Sequence, residues 1–200
     1  MEPHLPAEQP DAADLAAFRR GDAQALDRLV ERHRRPLFAF LFRFTADAAQ
    51  ADDWFQDTWA RALRGLDRYR QRHFRAWLFR IARNLAIDHA RRLRPALVLD
   101  APPPEGTAAP LDRLSSPGPA PDRAAAAHEL GDRIAAAVAA LPPDQREVFS
   151  LRMDAGLPFR DIAAIQRCSV NTALARMQYA LAKLRTALAP AYRELEEPVP

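Results

Sequence analysis

The chain has 200 residues, a length that suits one ordinary domain or two small ones. Six glycines amid abundant alanine and leucine argue for helix and against an all-β fold, and the single Cys168 excludes an internal disulfide and a cysteine-built zinc site, pointing to a reducing compartment. The formal net charge is only +3, yet 28 of the 29 basic residues are arginine, the side chain best suited to forked phosphate contacts.

From the N-terminus, MEPHLPAEQPDAAD carries acids and prolines where a signal peptide would carry a basic stretch and an apolar run. The longest strongly apolar stretch, Leu37 to Phe44, is interrupted by Arg43 and is far short of the roughly 20 residues that cross a bilayer. These features predict a soluble, cytoplasmic protein with no membrane insertion. Asp22 is placed to cap a helix in which Leu26, Leu29, Val30 and His33 share a face, and Pro36 is expected to kink or restart it before the apolar LFAFLFRF. A polar turn at Thr45 to Asp47 precedes a second helix, to about Gly65, with Trp54, Phe55, Thr58, Ala62 and Leu66 facing inward. A third is expected from about Phe74 to Arg94, and three such helices can share one small core.

Residues 95–127 hold 8 of the 18 prolines, a density that no helix tolerates. The chain therefore divides into helical domains at 11–94 and 123–190 joined by a flexible Pro-rich linker, 95–122. The second domain is expected to open with a helix in HELGDRIAAAVAAL. A further helix starts at Pro143 and stops at Gly156. A short helix from Phe159 to Gln166, a tight turn and a long helix capped by Ser169 have the dimensions of a helix-turn-helix. Ile162, Ile165, Val170, Ala173, Met177, Leu181 and Leu184 are predicted to form its buried seam. The fold class is thus all-α, with a three-helix-type N-terminal domain and a C-terminal helix-turn-helix domain.

Charge placement carries the functional reading. Residues 15–95 contain 18 Arg against 9 acids, which suggests a polyanionic partner. Between Arg68 and Arg94, nine arginines are mixed with Tyr69, Phe74, Trp77 and Phe79, a pattern that suits single-stranded DNA because arginines track phosphates while rings stack on bases. Trp77 and Phe79 are better read as core, while Tyr69 and Phe74, in or beside a polar loop, are candidates for stacking. Asp52, Asp53, Gln56 and Asp57 share one helical face and would be repelled by DNA, so that face is expected to dock a basic protein. A solvated helix start, or a magnesium site in a prenyl-transfer type of enzyme, would use the same carboxylates. The second acidic cluster such an enzyme needs is missing, and His4, His33, His73, His89 and His128 show no ligand spacing. No metal, cofactor or catalytic residue is assigned.

DDWFQDTWARAL, RAWLFRIARNLAIDHARR, the Pro-rich stretch, and LPPDQREVFSLRMDAGLPFRDIAAI with its long final helix together resemble the bacterial RNA polymerase sigma factors of the extracytoplasmic-function (ECF) group, in the sigma-70 family. The resemblance covers Leu15 to Leu188. It implies a transcription initiation factor that binds core RNA polymerase, at the largest-subunit clamp and the flap, and is not an enzyme. It implies that Asp52, Asp53, Gln56 and Asp57 dock on the clamp. Tyr69, Arg70, Arg72, His73, Phe74, Arg80, Arg83, Asn84, Asp88 and Arg91 would open and read the promoter minus-ten element as single strand. Ser169, Val170, Asn171, Thr172, Leu174, Ala175, Arg176, Tyr179 and Lys183 would read the minus-35 duplex, and a separate anti-sigma factor is the expected regulator.

Two departures bear on specificity. The loop RYRQRHFRAW lacks the family's common Gly-Asp and is one residue shorter, and the recognition helix reads Asn171, Thr172, Ala173, Leu174, Ala175, Arg176 where Gly-Thr-Val, a basic residue, Ser and Arg are common. The competing reading from the residues alone is a stand-alone helix-turn-helix regulator that never joins polymerase.

Overall fold

A computed structural model describes residues 8–45, 47–70, 73–93 and 121–196. The described residues form eight α-helices and a single 3-10 turn, with no strand among them. α1 (Glu8–Arg19), α2 (Ala23–Thr45), α3 (Ala48–Gly65) and α4 (Phe74–Leu93) form the first group, with the 3-10 turn Leu66–Arg68 after α3. α5 (Pro121–Ala139), α6 (Pro143–Met153), α7 (Phe159–Gln166) and α8 (Val170–Glu196) form the second. The expected linker, apart from the residues at its end that open α5, lies outside the described residues.

The first group is built on α2. Asp22 accepts a hydrogen bond from the Gln24 amide (3.0 Å), supplying the cap expected there. The helix then runs through Pro36 without restarting, and its face Ala25, Leu29, His33, Leu37, Phe40 and Leu41 is buried throughout. α3 begins at Asp47, whose carboxylate accepts from the Ala49 and Gln50 amides. Its expected inward stripe, Trp54, Phe55, Thr58 and Ala62, is buried, as is Leu66 beyond it. Gly65 admits α4 at close range, because a Cβ there would stand 3.1 Å from the Trp77 ring. Trp77 packs on the core cluster from its edge, and Phe79 is fully buried.

α1 has no counterpart in the sequence reading. Its apolar content is small, and much of its anchoring is ionic: Arg32 donates to Asp11 and Asp14 (2.7 and 2.6 Å), Arg28 to Asp14 (2.8 Å), and buried His33 meets Asp11 (2.9 Å). Burial alone would raise the Asp11 pKa, but the hydrogen bonds and charges of His33 and Arg32 outweigh it and hold the carboxyl below its ordinary value. Asp14 is likewise held down, chiefly by the hydrogen bond from Arg32.

In the second group α5 begins at Pro121, seven residues before the expected start, and α8 continues through Pro190 to Glu196. Pro143 opens α6 in its first turn as expected. The buried seam of α8 is Ala173, Met177, Ala180, Leu184 and Ala191, repeating at three, four and seven residues. Val170 and Leu181, expected in that seam, are exposed instead: the helix phase that buries Ala173 and Ala180 turns them outward. The turn between α7 and α8 holds Arg167 in the left-handed conformation (φ 56°), where its amide and that of Cys168 both reach the Ala163 carbonyl. Cys168 is a half-buried free thiol packed on the core cluster.

The two groups are in contact. One apolar cluster runs from Phe40, Phe79 and Leu85 to Val148, Leu151, Leu157 and Ile162, with α4 against α7 and α2 against α6. No described helix is long and apolar enough to cross a membrane.

The Asp11 pKa lies below the unfolded value of about 4, so its contribution is complete above that value and lost as pH falls through the folded value. Asp11→Asn should therefore be less stable than the parent at pH 7, and its urea midpoint should change less between pH 5 and 3. Arg167→Gly should raise stability by about 1 kcal/mol, the left-handed cost relieved, as read in chemical denaturation.

Candidate functional site

Because α3 buries Ala51, Trp54, Phe55 and Thr58, the positions between them are forced outward, and Asp52, Asp53, Gln56 and Asp57 are all exposed. The Gln56 amide donates to Asp52 (2.8 Å), and no described cation pairs with Asp53 or Asp57. Beside them a hollow of about 420 Å³ is lined by Gln50, Asp53, Trp54, Gln56, Asp57 and His89. His89, which the sequence reading left unassigned, comes from α4 and stacks obliquely on Trp54 at 5.0 Å. This face is negative, solvated and open, so it attracts cationic side chains in a salt-sensitive way. Among the described residues no group of three or more His, Cys, Asp or Glu is arranged to hold a metal ion.

The basic loop and α4 are arranged differently from the stacking platform expected. Tyr69 and Phe74 are buried, not presented. Their rings meet edge to face at 5.8 Å, Tyr69 packs on Trp77 at 4.8 Å, and Phe74 contacts His33 and Trp59. The physical reason is that the apolar edge of Trp77 needs cover, and the Tyr69 ring supplies it. Arg19 holds it there, donating to the Leu66 and Tyr69 carbonyls (3.1 and 2.9 Å). Arg70 is exposed and donates to the Asp67 and Tyr69 carbonyls. Asn84 and Asp88 are exposed one turn apart, with Arg80 half-buried on the preceding turn. His73 lies 3.6 Å from Asp161 and 3.2 Å from the Arg160 guanidinium, and Arg83 pairs with Glu147, both from the second group. Arg72 and the side chain of Arg91 lie outside the described residues.

In the second group, the Ser169 hydroxyl accepts from the Thr172 amide (3.0 Å) and so starts α8 at Val170. Val170, Asn171, Thr172, Leu174, Tyr179 and Lys183 are exposed along it, and Ala175 is half-buried. Arg176 is engaged: it donates to Asp144 (2.6 Å) and to the Gln166 side chain (3.0 Å). Gln166 in turn donates to Glu147 (3.1 Å). The basic end of this face is thus a held guanidinium, and Lys183 and Arg185 are exposed farther along the helix.

An exposed acidic face, a basic helix and a capped helix-turn-helix in one all-α chain define a class, and comparison with known proteins gives it a name. The profile of Sigma-70 region 2 matches residues 29–95, and that of Sigma-70 region 4 matches residues 131–184. The chain is similar to the RNA polymerase sigma-H factor of Pseudomonas aeruginosa, at 33% identity over 94% of this chain and 98% of that protein. It is also similar to the ECF RNA polymerase sigma factor EcfG of Rhodopseudomonas palustris, at 36% identity over 76% of this chain and 78% of that one. Among solved structures, CnrH in complex with the cytosolic domain of CnrY matches with a TM-score of 0.62 and 26% identity, over 91% of this chain and 99% of that one. The chain belongs to the ECF group of the sigma-70 family and is a transcription initiation factor.

With that identification, Arg176→Ala should cost about 1 to 3 kcal/mol of discrimination between promoter sequences if its guanidinium reads a base edge. Competition binding of the reconstituted holoenzyme to promoters altered one position at a time measures this. An equal loss on every sequence would reassign the side chain to phosphate.

Proposed function

We propose that residues 11–94 form the unit that docks on core RNA polymerase and opens the minus-ten element, and that residues 123–190 form the unit that reads the minus-35 element. The observation that carries the docking half is the segregation of charge: Asp52, Asp53, Gln56 and Asp57 stand exposed and unneutralised on α3 within a basic group of helices. DNA would be repelled by that face, whereas a basic surface of the polymerase clamp would be drawn to it. His89 and Trp54 floor the adjoining hollow and offer a flat, partly apolar surface to the stem of a docked cationic side chain.

On α4, Asn84 and Asp88 lie one turn apart with Arg80 and Arg83 beside them, a set able to hydrogen-bond the exposed edge of an unpaired base and to hold its phosphates. On α8, Ser169, Asn171, Thr172 and Arg176 crowd the first two turns, the part of a recognition helix that enters a major groove. The exposed surface there is weakly basic, so isolated binding to duplex is weak and polymerase supplies the remaining affinity. The chain contributes binding and strand separation, not catalysis, and works in the cytoplasm with polymerase and DNA. A separate anti-sigma protein is its regulator in this reading; the related CnrH is solved with the cytosolic domain of a second protein.

Asp53→Arg combined with Asp57→Arg should abolish co-elution with core polymerase on a sizing column while leaving the helical circular dichroism unchanged. Undiminished binding of that variant would overturn the docking assignment.

A further inference from the structure

Arg19, at the C-terminal end of α1, carries no mark of function in the sequence pattern, yet one amino group of its guanidinium bridges two backbone carbonyls. These are the carbonyls of Leu66 (3.1 Å) and Tyr69 (2.9 Å), at the start of the 3-10 turn after α3 and just beyond its end. The other bonds to the same two oxygens are local: the Tyr69 amide donates to Leu66 (3.1 Å) and the Arg70 guanidinium to Tyr69 (3.0 Å). Arg19 differs in coming from another helix. α1 is in turn pinned to α2 by the pairs of Asp11 and Asp14 with Arg28, Arg32 and His33. The turn is thus held from outside, and Tyr69 leaves it with its ring packed on Trp77 at 4.8 Å and edge-on to Phe74 at 5.8 Å. Trp77 opens the stripe of α4 that continues through Arg80, Asn84 and Asp88, at steps of three and four residues.

We infer that Arg19 is a positioning residue for base recognition: by gripping the Tyr69 carbonyl it fixes Tyr69 and Trp77 as a wall at the head of the Arg80, Asn84 and Asp88 stripe, and so sharpens the choice of the base that enters there. The inference rests on the reading of α4 as the base-reading face. Hydrogen bonds discriminate between bases only while donor and acceptor keep their spacing, and a wall free to shift by about 1 Å accepts a second base at little penalty. Arg19 need not touch DNA to have this effect. It is exposed, so water can satisfy both carbonyls in its absence, and what its removal takes away is register and not the fold.

The test uses holoenzyme reconstituted from core polymerase and the full chain carrying Arg19→Met, which keeps the unbranched stem and removes the donors, or Arg19→Lys, which keeps charge and donors. Arg20→Met, at the exposed neighbour that makes neither bond, is the charge-matched control. The probe is a library of DNA duplexes with a randomised unpaired segment, and the bound molecules are sequenced. The parent should enrich particular bases in that segment. Arg19→Met should lower the preference at one position, or at two adjacent ones, by roughly fivefold or more, the order of one base-edge contact, and leave the other positions as they were. Arg20→Met should keep the whole profile, and Arg19→Lys should restore most of what Arg19→Met loses. Should Arg19→Met lose helicity, Arg19→Gln, whose shorter amide cannot reach both carbonyls, carries the same comparison.

A profile that Arg19→Met leaves unchanged overturns the inference. So does an equal loss at every position with a shallower dependence on salt, which would make Arg19 a phosphate contact. A parent with no preference anywhere in the unpaired segment overturns the reading of α4 and this inference with it, whereas a parental profile that survives Arg19→Met overturns the inference alone.

Discussion

Arg83 and Glu147 lie 64 residues apart in sequence and meet where both are largely removed from water. Two charges in that setting are tolerable only together, because withdrawing either partner strands the other in a poorly solvated site. The pair therefore ties α6 to α4 at one point. From it the order spreads in both directions, through Gln166 to Arg176 on one side and into the apolar cluster around Phe79 and Leu85 on the other. α8 itself packs on α5, α6 and α7 through Ala173, Met177, Ala180 and Leu184.

The same economy governs the surfaces. In α3 the residues that build the core and those that build the acidic face alternate along one helix, so burial of Trp54 and Phe55 is what presents Asp52, Asp53, Gln56 and Asp57 outward. In α4 the division is less clean: Leu78, Phe79, Ala82 and Leu85 are core, Asn84 and Asp88 face solvent, and Arg83 is drawn to a second partner.

Much of this was legible in the amino-acid sequence where the interactions are local. The apolar periodicity of α3 located both its buried stripe and its acidic face, Pro143 marked the start of α6, and Ser169 marked the start of α8. The misreadings have separate causes. Val170 and Leu181 look like seam residues by type, yet the small residues Ala173 and Ala180 set the phase of α8 and turn both outward. Tyr69 and Phe74 look available in a polar loop, but Arg19, about 50 residues earlier, ties that loop down and buries them. α1 escaped notice because much of its hold on the fold is an ion-pair network with α2, and Arg43 with Asp154 was invisible for the same reason: charge pairs at long separation leave no period in the sequence.

As a sigma factor, the chain is expected to bring strand opening to core RNA polymerase. Permanganate footprinting of genomic promoter fragments, with core RNA polymerase and the purified chain added separately and together, reads that opening base by base. Reactive, unpaired thymines are expected at discrete positions only when both are present. Reactivity that is absent under every combination, with the chain bound to core, would contradict it.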